Sequence, residues 1–238
     1  MQETENIEIL QPAKGYRYSL DPFLLAGFVE PGEHERIVDL GTGNGIIPLL
    51  LAKSFPDALF VGIDIQRPPL VFAKNNAPFA TFLHADVREA RSILRGESFD
   101  MAVSNPPYRK LKSGRINHLE EVAIARHEIK LTLAELIDSA SHLLKNGGVF
   151  YFCHLAGRSG EAEGELKKSG FGIKRTRFVQ SRNGEPPFLV MFQAVKGGER
   201  SKTLLPPLTV YTDENSYTSE ISSLYARLKI EAPAGRNA

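Results

Sequence analysis

Val38-Asp39-Leu40-Gly41-Thr42-Gly43-Asn44-Gly45 leaves an apolar run and enters a cluster of three glycines. Arg36–Leu40 reads as a buried strand, and the glycines as the turn that opens a helix over about 45–54. Glycine at such a turn permits positive φ and lets a ligand come close to the backbone. Outward from this stretch, short apolar runs alternate with helical patterns. Strands are predicted at Leu59–Asp64, Thr81–His84, Phe99–Ser104 and 149–155, and helices at about 68–76, 87–94 and 159–169, with a helical zone over about 119–144. Such alternation means an α/β fold with a mostly parallel sheet. Gly147 and Gly148 are expected to end the helical zone, as glycines do at helix C-termini. Residues 173–180 and 188–195 flank Ser181-Arg182-Asn183-Gly184-Glu185-Pro186-Pro187, whose Asn-Gly pair predicts an antiparallel hairpin. Ahead of the first strand, Asp21 before Pro22 reads as an N-cap with proline at the first helical position, starting a helix over 21–29. The tail from Gly197 contains prolines, a short helix at Ser219–Leu228 and disorder beyond Ile230. The expected division is an N-terminal extension (1–30), a central domain (31–197) and a C-terminal tail (198–238).

The 238 residues carry 29 Lys+Arg against 28 Asp+Glu, for a formal charge of +1, and are 42% hydrophobic. Disordered, collagen-like and membrane classes are excluded by that profile, and the length suits one substantial core. A single cysteine, Cys153, forms no internal disulfide, which fits a reducing compartment; its apolar surroundings make it a buried structural thiol. The six histidines show no zinc spacing, so no bound metal is expected. The start is acidic and lacks the features of a signal peptide. No apolar run approaches the ~18–20 residues that span a bilayer. A cytoplasmic protein is expected.

In an open α/β sheet, ligands bind at the carboxyl ends of the strands. The glycine pattern is G-x-G-x-G, not the dinucleotide G-x-G-x-x-G, and the Walker Gly-Lys-Ser/Thr is absent. Asp39 would repel a pyrophosphate and attract an ammonium, such as the amino-acid end of S-adenosylmethionine (SAM). Asp64 ends the second strand, where a carboxylate can accept from ribose hydroxyls. Asp86, just beyond the third, is placed either to meet an adenine amino group or to act as an N-cap.

Beyond the fourth strand comes Asn105-Pro106-Pro107-Tyr108. Two prolines end the strand and stiffen the turn. Asn105 and the Pro106 carbonyl are hydrogen-bond acceptors, and Tyr108 offers an aromatic face. Methylation of a planar amine needs this set. Two acceptors holding both hydrogens favour a pyramidal nitrogen with its lone pair free, and stacking on Tyr108, worth about 1–3 kcal/mol, fixes the ring. Positioning and aimed dipoles supply the acceleration, with no strong base.

Residues 39–45 with Asn105-Pro106-Pro107-Tyr108 resemble class I SAM-dependent methyltransferases of the amino-methylating branch. Gln11-Pro12-Ala13-Lys14-Gly15-Tyr16-Arg17-Tyr18-Ser19-Leu20-Asp21, Ala125-Arg126-His127-Glu128, Tyr211, Tyr217-Thr218-Ser219-Glu220 and Leu224-Tyr225 narrow the resemblance to the bacterial tRNA1(Val) adenine-N6 methyltransferase family, over about residues 8–228. That resemblance implies a Rossmann-like sandwich: a seven-stranded, mostly parallel sheet with an antiparallel last strand and helices on both faces. It also implies SAM as methyl donor and adenine 37 of a valine tRNA as acceptor. It assigns the target base to Asn105, Pro106, Pro107 and Tyr108. To the cofactor it assigns Asp39, Gly41, Thr42, Gly43, Gly45, Asp64, Ile65, Asp86, Val87 and Asn105, with the segment 16–21 closing over it.

Local charge fits RNA. Arg109, Lys110, Lys112 and Arg115 follow the turn with no acid between them, and Lys167, Lys168, Lys174, Arg175, Arg177 and Arg182 form a second acid-free run. Arg109 and Lys110 are the expected contacts to nucleotides flanking the target, with Arg126 and His127 next. Rival readings are a protein glutamine-N5 methyltransferase, disfavoured because about 35 residues before the first strand leave no helical domain, and an rRNA guanine-N2 methyltransferase, which usually carries a second copy of the fold. A non-catalytic SAM-binding adaptor is disfavoured by the intact Asn-Pro-Pro-Tyr. Oligomeric state is open.

Overall fold

A computed structural model describes residues 9–10, 20–106, 131–199 and 201–228. Its strands are β1 (Arg36–Leu40), β2 (Leu59–Asp64), β3 (Thr81–His84), β4 (Phe99–Ser104), β5 (Leu144–Leu155), β6 (Phe171–Gln180), β7 (Leu189–Lys196) and β8 (Thr203–Thr209). They form one sheet in the order β3-β2-β1-β4-β5-β7-β6-β8. Pairings from β3 to β5 are parallel; β7 runs antiparallel to both β5 and β6. The described helices are α1 (Asp21–Phe28), α2 (Ile46–Leu51), α3 (Arg67–Asn76), α4 (Ala90–Ile93), α5 (Leu133–Leu143), α6 (Ser159–Lys168) and α7 (Ser219–Leu228).

Successive strand residues face opposite sides of the sheet, and here both sides are covered. Ile37, Met101, Val103, Tyr151 and Cys153 bury against Phe23, Leu24 and Leu25 of α1, Ile46 and Leu50 of α2, and Ile221 and Tyr225 of α7. Val38, Leu40, Ala102, Phe150 and Phe152 bury on the other side against Leu136, Ile137 and Ala140 of α5 and Ala162 and Leu166 of α6. Two-sided burial is why Ile37-Val38 in β1 and Met101-Ala102-Val103 in β4 are consecutive apolar residues. Among the described residues no helix is long and apolar enough to cross a membrane.

Three expectations are corrected. The sheet has eight strands, not seven, because the segment after Gly197 adds β8, parallel to β6. Pro206 and Pro207 fit there because β8 is the edge strand, where a missing ladder donor is tolerated. Gly147 and Gly148 do not end a helix. α5 stops at Leu143, and the amides of Glu97 and Ser98 donate to the carbonyls of His142 and Leu143 at 2.9 Å each, so its last turn needs no glycine cap. The glycines lie inside β5, where the register against β4 shifts between Leu144 and Val149. Finally, Asp21 is not the N-cap of α1. Leu20 is, and its carbonyl accepts from Phe23 and Leu24, which puts Asp21 in the first turn.

β1 and β4 are neighbours although β2 and β3 intervene in sequence, so the chain changes direction across the sheet between them. Crevices at such a switch point are where open α/β sheets bind ligands.

Candidate functional site

Asp39 of β1 lies in register with Val103 of β4. The turns that follow, at Gly41 and Asn105, therefore stand side by side, about one strand spacing apart. Ser104, fully buried, locks the two ends together: its Oγ donates to the Leu40 carbonyl at 2.6 Å.

The glycine turn is wired at nearly every backbone group. Gly41 N–H and Thr42 N–H donate to the Ile63 carbonyl at 2.9 and 3.0 Å, and Gly45 N–H to the Thr42 carbonyl at 2.9 Å. Gly43 N–H donates to Asp64 Oδ2 at 2.8 Å, while Asp64 Oδ1 accepts from Gln66 N–H at 2.7 Å. Asn76, near the end of α3, donates to the Asn44 carbonyl at 2.8 Å and exchanges two hydrogen bonds with the Leu10 backbone, at 2.8 and 2.9 Å. Gly41, Gly43 and Gly45 all have positive φ (79°, 55° and 74°). A Cβ on Gly45 would come within 3.0 Å of the Ala73 backbone, whereas one on Gly41 or Gly43 would meet nothing within 4 Å. The first two glycines thus border open space, and the third packs on α3.

Beneath this turn sits an unusual group. Asp39 is 2% exposed, and among the described residues neither carboxylate oxygen has a hydrogen-bond partner. Of the six buried, unpartnered side-chain polar atoms among the described residues, three are Asp39 Oδ1, Asp39 Oδ2 and Thr42 Oγ1. Burial pushes the Asp39 carboxyl up to about 7; the neighbouring Thr42 hydroxyl opposes the shift, and the Asp64 charge adds to it. Buried charge without a partner is costly. A cationic ligand would supply such a partner.

Asp64 and His84 end paired strands in register, and Asp86 follows two residues on. Asp86 caps the short 3-10 turn at Val87–Glu89, accepting from Arg88 N–H at 2.9 Å, and its carboxylate is forked by the Arg88 guanidinium at 2.6–3.1 Å. The N-cap alternative is therefore realised. Ile65 accepts at its carbonyl from His84 Nε2 at 3.0 Å, and the buried Val87 from Ser139 Oγ at 3.0 Å.

Across the crevice, Asn105 is half-buried and Pro106 buried. Asn105 Oδ1 accepts from Cys153 Sγ at 3.0 Å. Burial first, and the Asp21 charge second, push the Cys153 thiol well above its ordinary range and keep it protonated. α1 runs along the same face of β5, where the Asp21 charge acts on Cys153 and the Phe28 ring lies edge-on to Tyr151 at 6.1 Å. The far end of α1 is held by Glu30, which accepts from Gln193 at 3.0 Å and pairs with Arg175 at 2.7 Å.

The structure brings together Asp39, Gly41, Thr42, Gly43, Gly45, Asp64 and Asn105, and sets Ile65, Asp86 and Val87 on the adjoining strand ends. Pro107, Tyr108, Arg109, Lys110, Arg126 and His127 lie outside the described residues, as do Lys112 and Arg115. Five of the six cations of the second basic run are ion-paired. Lys168, Lys174, Arg175, Arg177 and Arg182 each pair with an acid, at 2.6, 3.5, 2.7, 2.7 and 3.5 Å. Ser104, Asn76 and the Cys153–Asn105 contact were not legible in sequence, since their partners lie 64, 66 and 48 residues away. Among the described residues no cluster of His, Cys, Asp or Glu could hold a metal ion.

Residues 31–185 match the protein family described as "Methyltransferase domain". A tRNA1(Val) (adenine(37)-N6)-methyltransferase of Actinobacillus succinogenes is 30% identical over 211 residues, covering 86% of each chain. The protein of the same name from Pedobacter heparinus is 29% identical over 187 residues, covering 76% of this chain and 78% of that one. Among solved structures, a predicted O-methyltransferase of Agrobacterium tumefaciens superposes with a TM-score of 0.70 at 23% identity, covering 92% of this chain and 100% of that one. That last likeness is one of fold.

Proposed function

The chain belongs to the methyltransferase-domain family, and from that premise we propose that it transfers a methyl group from SAM to N6 of an adenine in tRNA, at position 37 of a valine tRNA. Methylation with SAM as cofactor follows from the family. The acceptor is our reading, supported by the names of relatives about 30% identical. The observation that carries it is the juxtaposition of two turns at the ends of β1 and β4: one with a buried carboxylate that has no partner among the described residues, the other with Asn105 and the Pro106 carbonyl.

The residues fit the cofactor. Asp39 supplies the counter-charge for the amino-acid ammonium, and Gly41 and Gly43 leave room for close approach. Asp64 braces Gly43 and Gln66 and is placed at the strand end where a carboxylate accepts from ribose hydroxyls. Asp86, locked by Arg88, stands toward the adenine end between Ile65 and Val87. Bound there, SAM supplies an electrophilic methyl on its sulfonium.

The chain's own work is to hold the acceptor nitrogen. Asn105 Oδ1 and the Pro106 carbonyl accept its two hydrogens and turn its lone pair out of the ring plane. Tyr108 stacks on the base, and Arg109, Lys110, Arg126 and His127 hold flanking phosphates. The nitrogen sheds a proton as the new bond forms, so no strong base is required. An unpaired loop adenine is cheaper to extrude than a paired one, which favours an anticodon-loop target. A tRNA-modifying enzyme of this kind works in the cytoplasm.

The test is mass spectrometry of nucleosides after incubating the pure protein with SAM and tRNA, with rRNA and protein extract as parallel acceptors. N6-methyladenosine at position 37 of a valine tRNA is the expected product. Methyl incorporation into rRNA or protein alone would replace the acceptor, and incorporation into none would favour an adaptor.

A further inference from the structure

Cys153 is the chain's only cysteine, and it does more than fill space. Its Sγ lies 3.0 Å from Asn105 Oδ1, in a hydrogen bond from β5 to the turn that follows β4. Parallel pairing of β4 with β5 sets Ser104 against Phe152, so Asn105 and Cys153 come next in register. On its other side Cys153 pairs with Met191 of β7, so its backbone is held in mid-sheet and its side chain is fully buried.

An asparagine amide is nearly two-fold symmetric in shape, and its terminal torsion is broad. Flipped, it would aim N–H groups where an oxygen is required, and so repel an acceptor amine. A protonated thiol breaks that symmetry. It donates to oxygen, whereas sulfur is only a weak acceptor for an amide N–H. The thiol takes one lone pair of Oδ1 and leaves the second. Because S–H is a weak donor, Oδ1 keeps most of its strength as an acceptor. Pro106 brings no backbone N–H to compete for that oxygen.

We propose that Cys153 is a positioning residue: its S–H holds the Asn105 amide with the oxygen facing the substrate amine. The proposal rests on the reading of Asn105 as the group that holds that amine. Burial and the nearby Asp21 charge keep the thiol protonated at working pH, and therefore always a donor.

Two measurements test it. The first needs no activity. With one cysteine in the chain, the S–H stretching band in the infrared or Raman spectrum comes from Cys153 alone. Asn105→Ala removes the acceptor, and the band is expected to move to higher wavenumber; a band at the same position in both proteins overturns the proposal. The second is kinetic. Cys153→Ala is expected to lower kcat about fivefold, the scale of one neutral hydrogen bond, with the SAM dissociation constant unchanged. Cys153→Ser, which restores a donor, is expected to recover kcat to within about twofold of wild type. A Cys153→Ala enzyme as fast as wild type, or a serine variant no better than alanine, contradicts a positioning role. Wild-type protein that methylates nothing would defeat the functional reading, and the S–H band would still decide whether the orienting bond exists.

Discussion

Asp39→Asn should make the protein more stable and less able to bind its cofactor. The Asp39 carboxyl moves from an ordinary 3.8 to about 7 on folding, because burial penalises its charge. At about 1.4 kcal/mol for each tenfold change in acidity, that gap is worth about 4 kcal/mol. The sign follows from linkage: the folded state holds this proton more tightly than the unfolded state, so the contribution is complete below about pH 4 and is lost as pH rises through about 7. Between pH 5 and pH 8 the loss is about 2.5 kcal/mol. Asparagine has the same shape and no charge to lose. The melting-temperature gap between Asp39→Asn and wild type, both without SAM, should therefore be wider at pH 8 than at pH 5. At about 2–4 °C per kcal/mol for a chain of this size, the widening is about 5–10 °C. Calorimetry should show the reverse for function. SAM binding to wild type should tighten as pH rises through about 7, and Asp39→Asn should lose about 10- to 100-fold in affinity, the value of a charge-assisted bond, together with that pH dependence. A melting gap that does not change with pH would refute the claim that Asp39 sits buried, with no partner among the described residues, in the free protein.

Other perturbations separate the parts of the site. Asn105→Ala should leave SAM affinity nearly intact and reduce turnover by about two orders of magnitude or more; equal losses in binding and rate, measured by calorimetry and single-turnover assays, would make Asn105 a cofactor residue only. Asp64→Ala strips the acceptor from Gly43 and Gln66 and should weaken SAM at least about tenfold, as charged hydrogen bonds do; an unchanged dissociation constant removes Asp64 from the site. Gly45→Ala forces a Cβ to within 3.0 Å of the Ala73 backbone at φ 74°, and should lower stability by about 1–3 kcal/mol; an unaltered urea midpoint would mean that the turn can relax.

The elements that position the crevice were legible because of their chemistry. β1, β2, β3 and β4 occupy the predicted residues, since each centres on a short apolar stretch that gives way, at or just beyond the strand end, to Gly41, Asp64, Asp86 or Asn105. α7 matches as well, and the Asn183-Gly184 hairpin joins β6 to β7 as expected, with Gly184 at φ 81°. What sequence concealed was long-range. β8 hides behind Pro206-Pro207, which argue against a strand until it is known to lie at an edge. Gly147-Gly148 mimics a helix stop, because nothing local announces that Glu97 and Ser98 already satisfy the carbonyls of α5. The start of α5 carries a local signal: Thr132-Leu133-Ala134-Glu135 is a capping box, with both reciprocal hydrogen bonds formed. Of the site, the acids and glycines declared themselves by their place after strands. The residues that hold them, Ser104, Asn76 and Cys153, look like ordinary core positions in a linear sequence. The run from Lys167 to Arg182 has no acid within it, and two of its acidic partners, Glu30 and Glu220, come from elsewhere in the chain.

The most direct test of the account is a crystal structure with SAM bound. The ammonium should lie within hydrogen-bonding distance of Asp39, the ribose hydroxyls on Asp64, and the methyl group should face Asn105 across the ends of β1 and β4. Density for SAM elsewhere, or with its ammonium turned away from Asp39, would contradict it.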